Sequence, residues 1–289
     1  MEIIKTTTSD GLNFTGLYSK PKNKSNTIII HIHGMSGDIY TDSWYQQMHT
    51  YYPKNGIAFL AGETRGTHSI TQFVSTKTDD LVNIGNAFEV FEDCVYDIEA
   101  WVNKAKSLGY KNIWLQGHSL GTSKITYYLT TKLDKNIAGL ILLSPSDMFG
   151  CFIGSVNKQH PVLKKAKELY KNKKSDQLLT DLLLENTLVS AKTILNFFDK
   201  NTNLAIFNFA NQQLGFSVVN KIKVPVLAIT GTKDDGIVSV IDPYKAMQIL
   251  TDKLINCPRK KTIVYKNAYH PFEGFEQNIV KDVVRFVLG

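Results

Sequence analysis

The sequence predicts an α/β fold: a mostly parallel central sheet flanked by helices, with a helical segment inserted between two strands. Three observations carry this. Apolar, β-branched runs recur along the 289 residues. Longer helical patterns separate them. One interval, residues 146–220, is far too long for a connection. Near-continuous apolar runs suit strands buried on both faces, and strand–helix alternation leads to a parallel sheet.

In chain order, "MEIIKTTTSDGLNF" alternates along its length and contains Asp10-Gly11, which predicts a hairpin. No basic start followed by an apolar stretch marks a signal peptide. Strands are expected at 27–34, 56–63, 112–117, 137–144, 224–231 and 261–267, and helices near 43–54, 93–108, 120–132, 242–254 and 275–288. The core domain is therefore expected in 1–145 and 221–289. Residues 146–220 contain "PVLKKAKELY", "QLLTDLLLEN" and "AKTILNFF". A structureless loop of this length is implausible in a compact domain. The expectation is a helical cap over the C-terminal strand ends, where open α/β sheets bind ligands.

A hydrophobic fraction of 43% and a charged fraction of 20% describe a soluble globular chain. No apolar run reaches the ~18 residues of a membrane span. Cys94, Cys151 and Cys257 are scattered and odd in number, which argues against a disulfide framework or a zinc site and fits a reducing cytoplasm. The formal charge of +7 admits anionic partners. The lysines, however, are spread along the chain. Their densest cluster, "KKAKELYKNKK" at 164–174, reads as the wet face of a helix, and nothing resembles a nucleic-acid module.

The chemistry centres on "WLQGHSLGTSKI" (114–125), where Gly-His-Ser-Leu-Gly joins a strand to a helix. Such a strand–turn–helix is a nucleophile elbow. Gly117 and Gly121 avoid side-chain clashes on either side of Ser119, and the helix N-terminus favours negative charge there. A serine hydroxyl needs a base, and the base needs an orienting acid. Of seven histidines only His160 and His270 follow Ser119. His270, in "NAYHPFEGF" after the last strand, is the expected base, and His160 falls in the cap. The acid is expected after "VPVLAITG". Asp234 is preferred; Asp235 remains open and would otherwise cap the turn or next helix, and Asp147 is a further alternative. The oxyanion needs fixed N–H donors: the backbone N–H of Leu120 and, from "HGMSG", that of Met35. His31 and His33 share a strand face but lack a third ligand, so no metal is expected.

Together "HGMSG", "GETRGTHS", "GHSLGT", "GTKDD" and "YHPF" resemble the α/β-hydrolase superfamily over nearly the whole chain. This resemblance implies an α/β-hydrolase fold and hydrolysis through an acyl-enzyme on Ser119, with no cofactor. Arg65 and Gly66 match its Arg-Gly motif, which implies a structural role. "GNAFEVFEDCVYDIEAWV", "GHSLGTSKITYYL" and "LLSPSDM" are similar to the branch of fungal siderophore-ester hydrolases and their bacterial relatives, and also to feruloyl-type esterases. The expected partner is a small-molecule ester. The cap's lysines suggest an anionic substrate, and Phe197, Phe198, Phe207 and Phe209 suggest either an aromatic-lined pocket or the cap's own core. A thioesterase, amidase, lactonase or acyltransferase would use the same residues. A binding protein on a hydrolase scaffold is an alternative of another class.

Overall fold

The computed structural model describes residues 1–153, 161–179, 188–199 and 202–289. Its central sheet has eight strands: β1 (Glu2–Thr7), β2 (Asn13–Ser19), β3 (Thr27–Ile32), β4 (Ala58–Gly62), β5 (Asn112–His118), β6 (Ile137–Leu143), β7 (Val226–Lys233) and β8 (Lys260–Tyr269). Their spatial order is β1-β2-β4-β3-β5-β6-β7-β8. The expected N-terminal hairpin is the antiparallel β1–β2 pair, and β2 runs antiparallel to β4. Every pair from β4 to β8 is parallel. The C-terminal ends of six strands therefore share one edge.

Both faces of this sheet are covered, which is why its strands read as continuous apolar runs. In β3, Ile28, Ile30 and Ile32 enter one core, while Ile29 enters the other. The first core takes helices α2 (Cys94–Ser107), α3 (Leu120–Lys132) and α8 (Pro243–Lys253), through residues such as Trp101, Ile125 and Leu250. The second takes α1 (Trp44–Lys54) and α9 (Glu276–Leu288), through Met48, Tyr52 and Val283. Each fully buried isoleucine contributes roughly 1.5–3 kcal/mol of transfer free energy.

Between β6 and β7 lie α4 (Met148–Ile153), α5 (Pro161–Lys171) and α6 (Ala191–Phe198). α5 buries Val162, Leu163 and Ala166, while its lysines face outward, as the solvated-face reading of that cluster requires. "QLLTDLLLEN" departs from its helical pattern. Leu178–Leu179 forms a two-residue strand against Val189–Ser190, and cross-strand pairing overrides the local periodicity. Most of that stretch lies outside the described residues, as does His160. α6 is capped by Ser190, which accepts from the Thr193 N–H. The Thr193 hydroxyl donates to the carbonyls of Ala87 and Glu89, and Asn196 accepts from the Phe91 N–H. These bonds fasten the inserted segment to the 86–91 loop. Phe197, Phe198, Phe207 and Phe209 are buried in the same cluster as the sheet core. A hairpin that the sequence reading did not anticipate, Gln72–Ser75 with Asp80–Asn83, follows β4. A short helix, α7 (Asp235–Val238), follows β7.

Candidate active site

Ser119 stands between β5 and α3 with φ 53° and ψ −124°. This backbone region is strained for a residue with a side chain, and it persists only where surroundings over-determine it. Here they do. The Ser119 N–H donates to the Leu143 carbonyl, and its own carbonyl accepts from the N–H and hydroxyl of Thr122. The two flanking glycines are required by close approach. A Cβ on Gly121 would strike the Ile32 carbonyl oxygen, and one on Gly117 would lie 2.5 Å from the Gly121 carbonyl. Ser119 is left half-buried, at the C-terminal edge of the sheet.

At the end of β8, His270 Nδ1 donates to Asp234 Oδ1 at 2.6 Å. Asp234 is fully buried. It also accepts from the Thr230 hydroxyl at 2.7 Å and, as N-cap of α7, from the Gly236 N–H at 3.1 Å. Capping therefore falls to Asp234 itself, correcting the expectation that the neighbouring aspartate would cap. Asp235 points outward, its side chain 86% exposed and 3.9 Å from Nδ1. The difference is one of direction: successive residues at a helix start point their side chains apart. Asp147 is turned away, accepting from the N–H groups of Gly150 and Ala210. Burial by itself would lower the His270 pKa. The hydrogen bond and charge of Asp234, with Asp235 and Asp42, outweigh it, and the pKa rises above its ordinary value. Burial would conversely raise Asp234, but the hydrogen bond and charge of His270 and the hydroxyls of Ser144 and Thr230 hold it low. Among the described residues no hydrogen bond joins the Ser119 hydroxyl to His270. Their proximity is carried by His118, the residue before Ser119. Its Nε2–H donates to the His270 carbonyl at 3.0 Å, and the two rings lie 4.7 Å apart.

The loop after β3 lies directly against Ser119: a Cβ on Gly34 would sit 3.0 Å from the Ser119 Cβ. His33 Nδ1–H donates to the Gly34 carbonyl at 2.8 Å. Its Nε2 then accepts from the hydroxyls of Thr67 and Thr64 at 2.9 and 3.0 Å. Carbonyl and N–H of one trans peptide point in opposite directions, so the Met35 N–H is directed away from His33. It donates to no acceptor among the described residues. The Leu120 N–H is the first of α3 and has no intrahelical partner. Burial, with the nearby Lys124 charge, pushes the His33 pKa down to about 3, so its ring is neutral. His31 faces elsewhere: it accepts from the Gln116 amide and packs among Trp44, Tyr45 and Phe59. The two rings that suggested a metal pair thus have separate partners. Asp234, Asp235 and His270 bring potential ligand atoms within 4.8 Å of one another, but the His270–Asp234 hydrogen bond already occupies the nearest two.

Several residues escaped sequence reasoning. His118 was an unassigned position in the elbow. Its pKa is lowered to about 3, first by burial and then by the charge of His270. Asp42, half-buried near His270, has its pKa raised by burial and by the charge of Asp38. With Glu273 and Asp235 these carboxylates make the surroundings of the site acidic. Beneath it, Arg65 is clamped to Asp97 by two guanidinium nitrogens and its own N–H, with Asp10 and Asp93 alongside. This ties the loop after β4 to α2. Lys124 on α3 meets Glu89 at 2.5 Å, both wholly buried, without the alignment of a hydrogen bond.

The family model described as serine aminopeptidase, S33, matches residues 23–278. No curated protein sequence matches significantly. Among solved structures, Est1E from Butyrivibrio proteoclasticus bound to ferulic acid is 19% identical, covering 98% of this chain and 97% of its own, with a TM-score of 0.65. A thermostable carboxyl esterase from Bacillus coagulans in complex with glycerol is 14% identical, covering 100% and 98%, with a TM-score of 0.66. A soluble variant of monoglyceride lipase from Saccharomyces cerevisiae in complex with a substrate analog is 16% identical, covering 99% and 96%, with a TM-score of 0.65. At these identities the likeness concerns the fold, which is that of the α/β hydrolases. From the match over 23–278, the chain belongs to the serine aminopeptidase S33 family of α/β-hydrolase serine hydrolases.

Proposed function

We propose that the protein hydrolyses a carboxylic ester through an acyl-enzyme on Ser119. The observation that carries this reading is the buried 2.6 Å His270–Asp234 pair beside a serine held at a strained elbow. His270 Nε2 takes the Ser119 proton as Oγ attacks the carbonyl carbon, and the imidazolium is stabilised by Asp234. The N–H groups of Met35 and Leu120 receive the oxyanion. The imidazolium returns its proton to the departing alkoxide. A water molecule, deprotonated by His270, then releases the acid and restores Ser119. The segment over 146–220 acts as the cap that bounds the substrate.

The acidic surroundings of His270 favour neutral or cationic substrates over the anionic esters that the cap lysines suggested. They also support a second reading, an amide whose acyl part bears a free, positively charged α-amine, in keeping with the family's description. A panel of neutral, anionic and cationic p-nitrophenyl esters, with aminoacyl p-nitroanilides, tests both. The ester reading expects kcat/KM highest on neutral or cationic esters. Turnover confined to the anilides would replace it with the amide reading.

A further inference from the structure

Parallel strands polarise the molecule. Segments leaving β3–β8 at their C-terminal ends carry the site, and "HGMSGDIYTDS" and "HPFEGFE" hold carboxylates but no lysine or arginine. The segments entering the same strands are the reverse. "KPKNKSN", "KNGI", "SLGYK", "KLDKN", "VNKIKVP" and "CPRK" contain many cations and only Asp134 among acids, and Asp134 is bound to Lys106. Backbone hydrogen bonds set these segments side by side: Lys111 N–H to Asn26, Ile113 N–H to Asn136, Leu140 N–H to Pro225 and Val226 N–H to Arg259. Lysines scattered in sequence thus become one row. Lys111, Lys135, Lys221 and Lys223 are exposed, and among the described residues none of them forms an ion pair.

Apolar side chains stand in the same row. A groove of about 750 Å³ is lined by Leu129, Leu133, Ile137 and Val224, with Lys135, Lys221 and Lys223 also lining it. Leu133, in the left-handed conformation at the end of α3, is 70% exposed, and Ile255, just past α8, is 64% exposed. Cations at helix C-termini are favoured by the helix dipole, but that does not account for uncovered leucine and isoleucine between them.

We propose that this edge docks on an anionic lipid surface. Lysine ammonium groups take the headgroup charge, while Leu133 and Ile255 enter the interface beside the groove. Nucleic acid is the weaker match. A duplex backbone offers the exposed aliphatic side chains of Leu133 and Ile255 nothing to enter. Docked this way, the protein turns its site away from the membrane, toward water-borne substrate.

Cosedimentation with phosphatidylcholine vesicles, with and without phosphatidylserine, tests this. The full chain is expected to bind only the phosphatidylserine vesicles and to release as salt rises. The triple variant Lys135→Glu, Lys221→Glu, Lys223→Glu is expected to lose at least about a hundredfold in partitioning. Leu133→Asp should also weaken binding, with circular dichroism melting unchanged. If the triple variant does not fold, the three single reversals are measured, each expected to lose at least about fivefold. Equal binding to uncharged vesicles overturns the proposal, and so does no binding or wild-type binding by the charge variants. Duplex DNA that binds with the same lysine dependence, while Leu133→Asp has no effect, identifies the row as a nucleic-acid surface instead.

Discussion

At the scale of single residues, the proposed mechanism requires His270 to be neutral in order to accept the Ser119 proton. Its pKa lies above the ordinary 6.5 because Asp234, Asp235 and Asp42 outweigh its burial. A raised folded-state pKa stabilises the protonated form. That stability is fully present below the unfolded imidazole pKa and is lost as pH rises through the folded one. Activity runs the other way. A pH–rate profile is therefore expected to rise on a limb centred above 6.5. Asp235→Asn should move the limb to lower pH, while Asp234→Asn should cost about 10⁴ in kcat. A limb at or below 6.5 in the wild type would show that the carboxylates do not act on this ring. Ser119 and His270 could be nominated from the sequence as candidates because each sits in a distinct strand-end context and in the expected chain order. Asp234 and Asp235 were not separable there, since only the direction of their side chains distinguishes a buried partner from an exposed one. His118 gave no signal at all, because its role depends on a carbonyl 152 residues away.

At the scale of elements, α3 carries the elbow and is fixed from below by Lys124 against Glu89, each side chain wholly buried. Removing one partner leaves the other charge uncompensated. Lys124→Met is expected to destabilise by about 3–5 kcal/mol in urea unfolding, while Lys124→Met with Glu89→Leu recovers most of that loss. A single variant as stable as wild type would mean that the pair is solvated in practice. The inserted segment gives a second test. Phe207 is 1% exposed and packs beside Phe209. Phe207→Ala is expected to cost about 3–5 kcal/mol and to leave the ranking of ester substrates unchanged. A changed ranking with little loss of stability would put this side chain in the pocket. The five helices flanking the sheet were readable from their period, to within a residue or two. Leu178–Leu179 was not, because its strand exists only through pairing with Val189–Ser190.

At the scale of the whole molecule, the parallel sheet sorts chemistry to its two ends: carboxylates and the candidate triad at the C-terminal strand edge, lysines and open aliphatic groups at the other. The architecture was readable because short continuous apolar runs alternate with longer segments of helical period. The charge separation was not, because neighbouring segments on one edge are tens of residues apart in sequence. In the proposed function this whole arrangement serves one nucleophile, Ser119. Reaction of the purified protein with a fluorophosphonate probe, followed by peptide mapping, tests it. A single adduct on Ser119 is expected, abolished in Ser119→Ala and slowed in His270→Ala. An adduct on another serine, or labelling that survives Ser119→Ala, would contradict it.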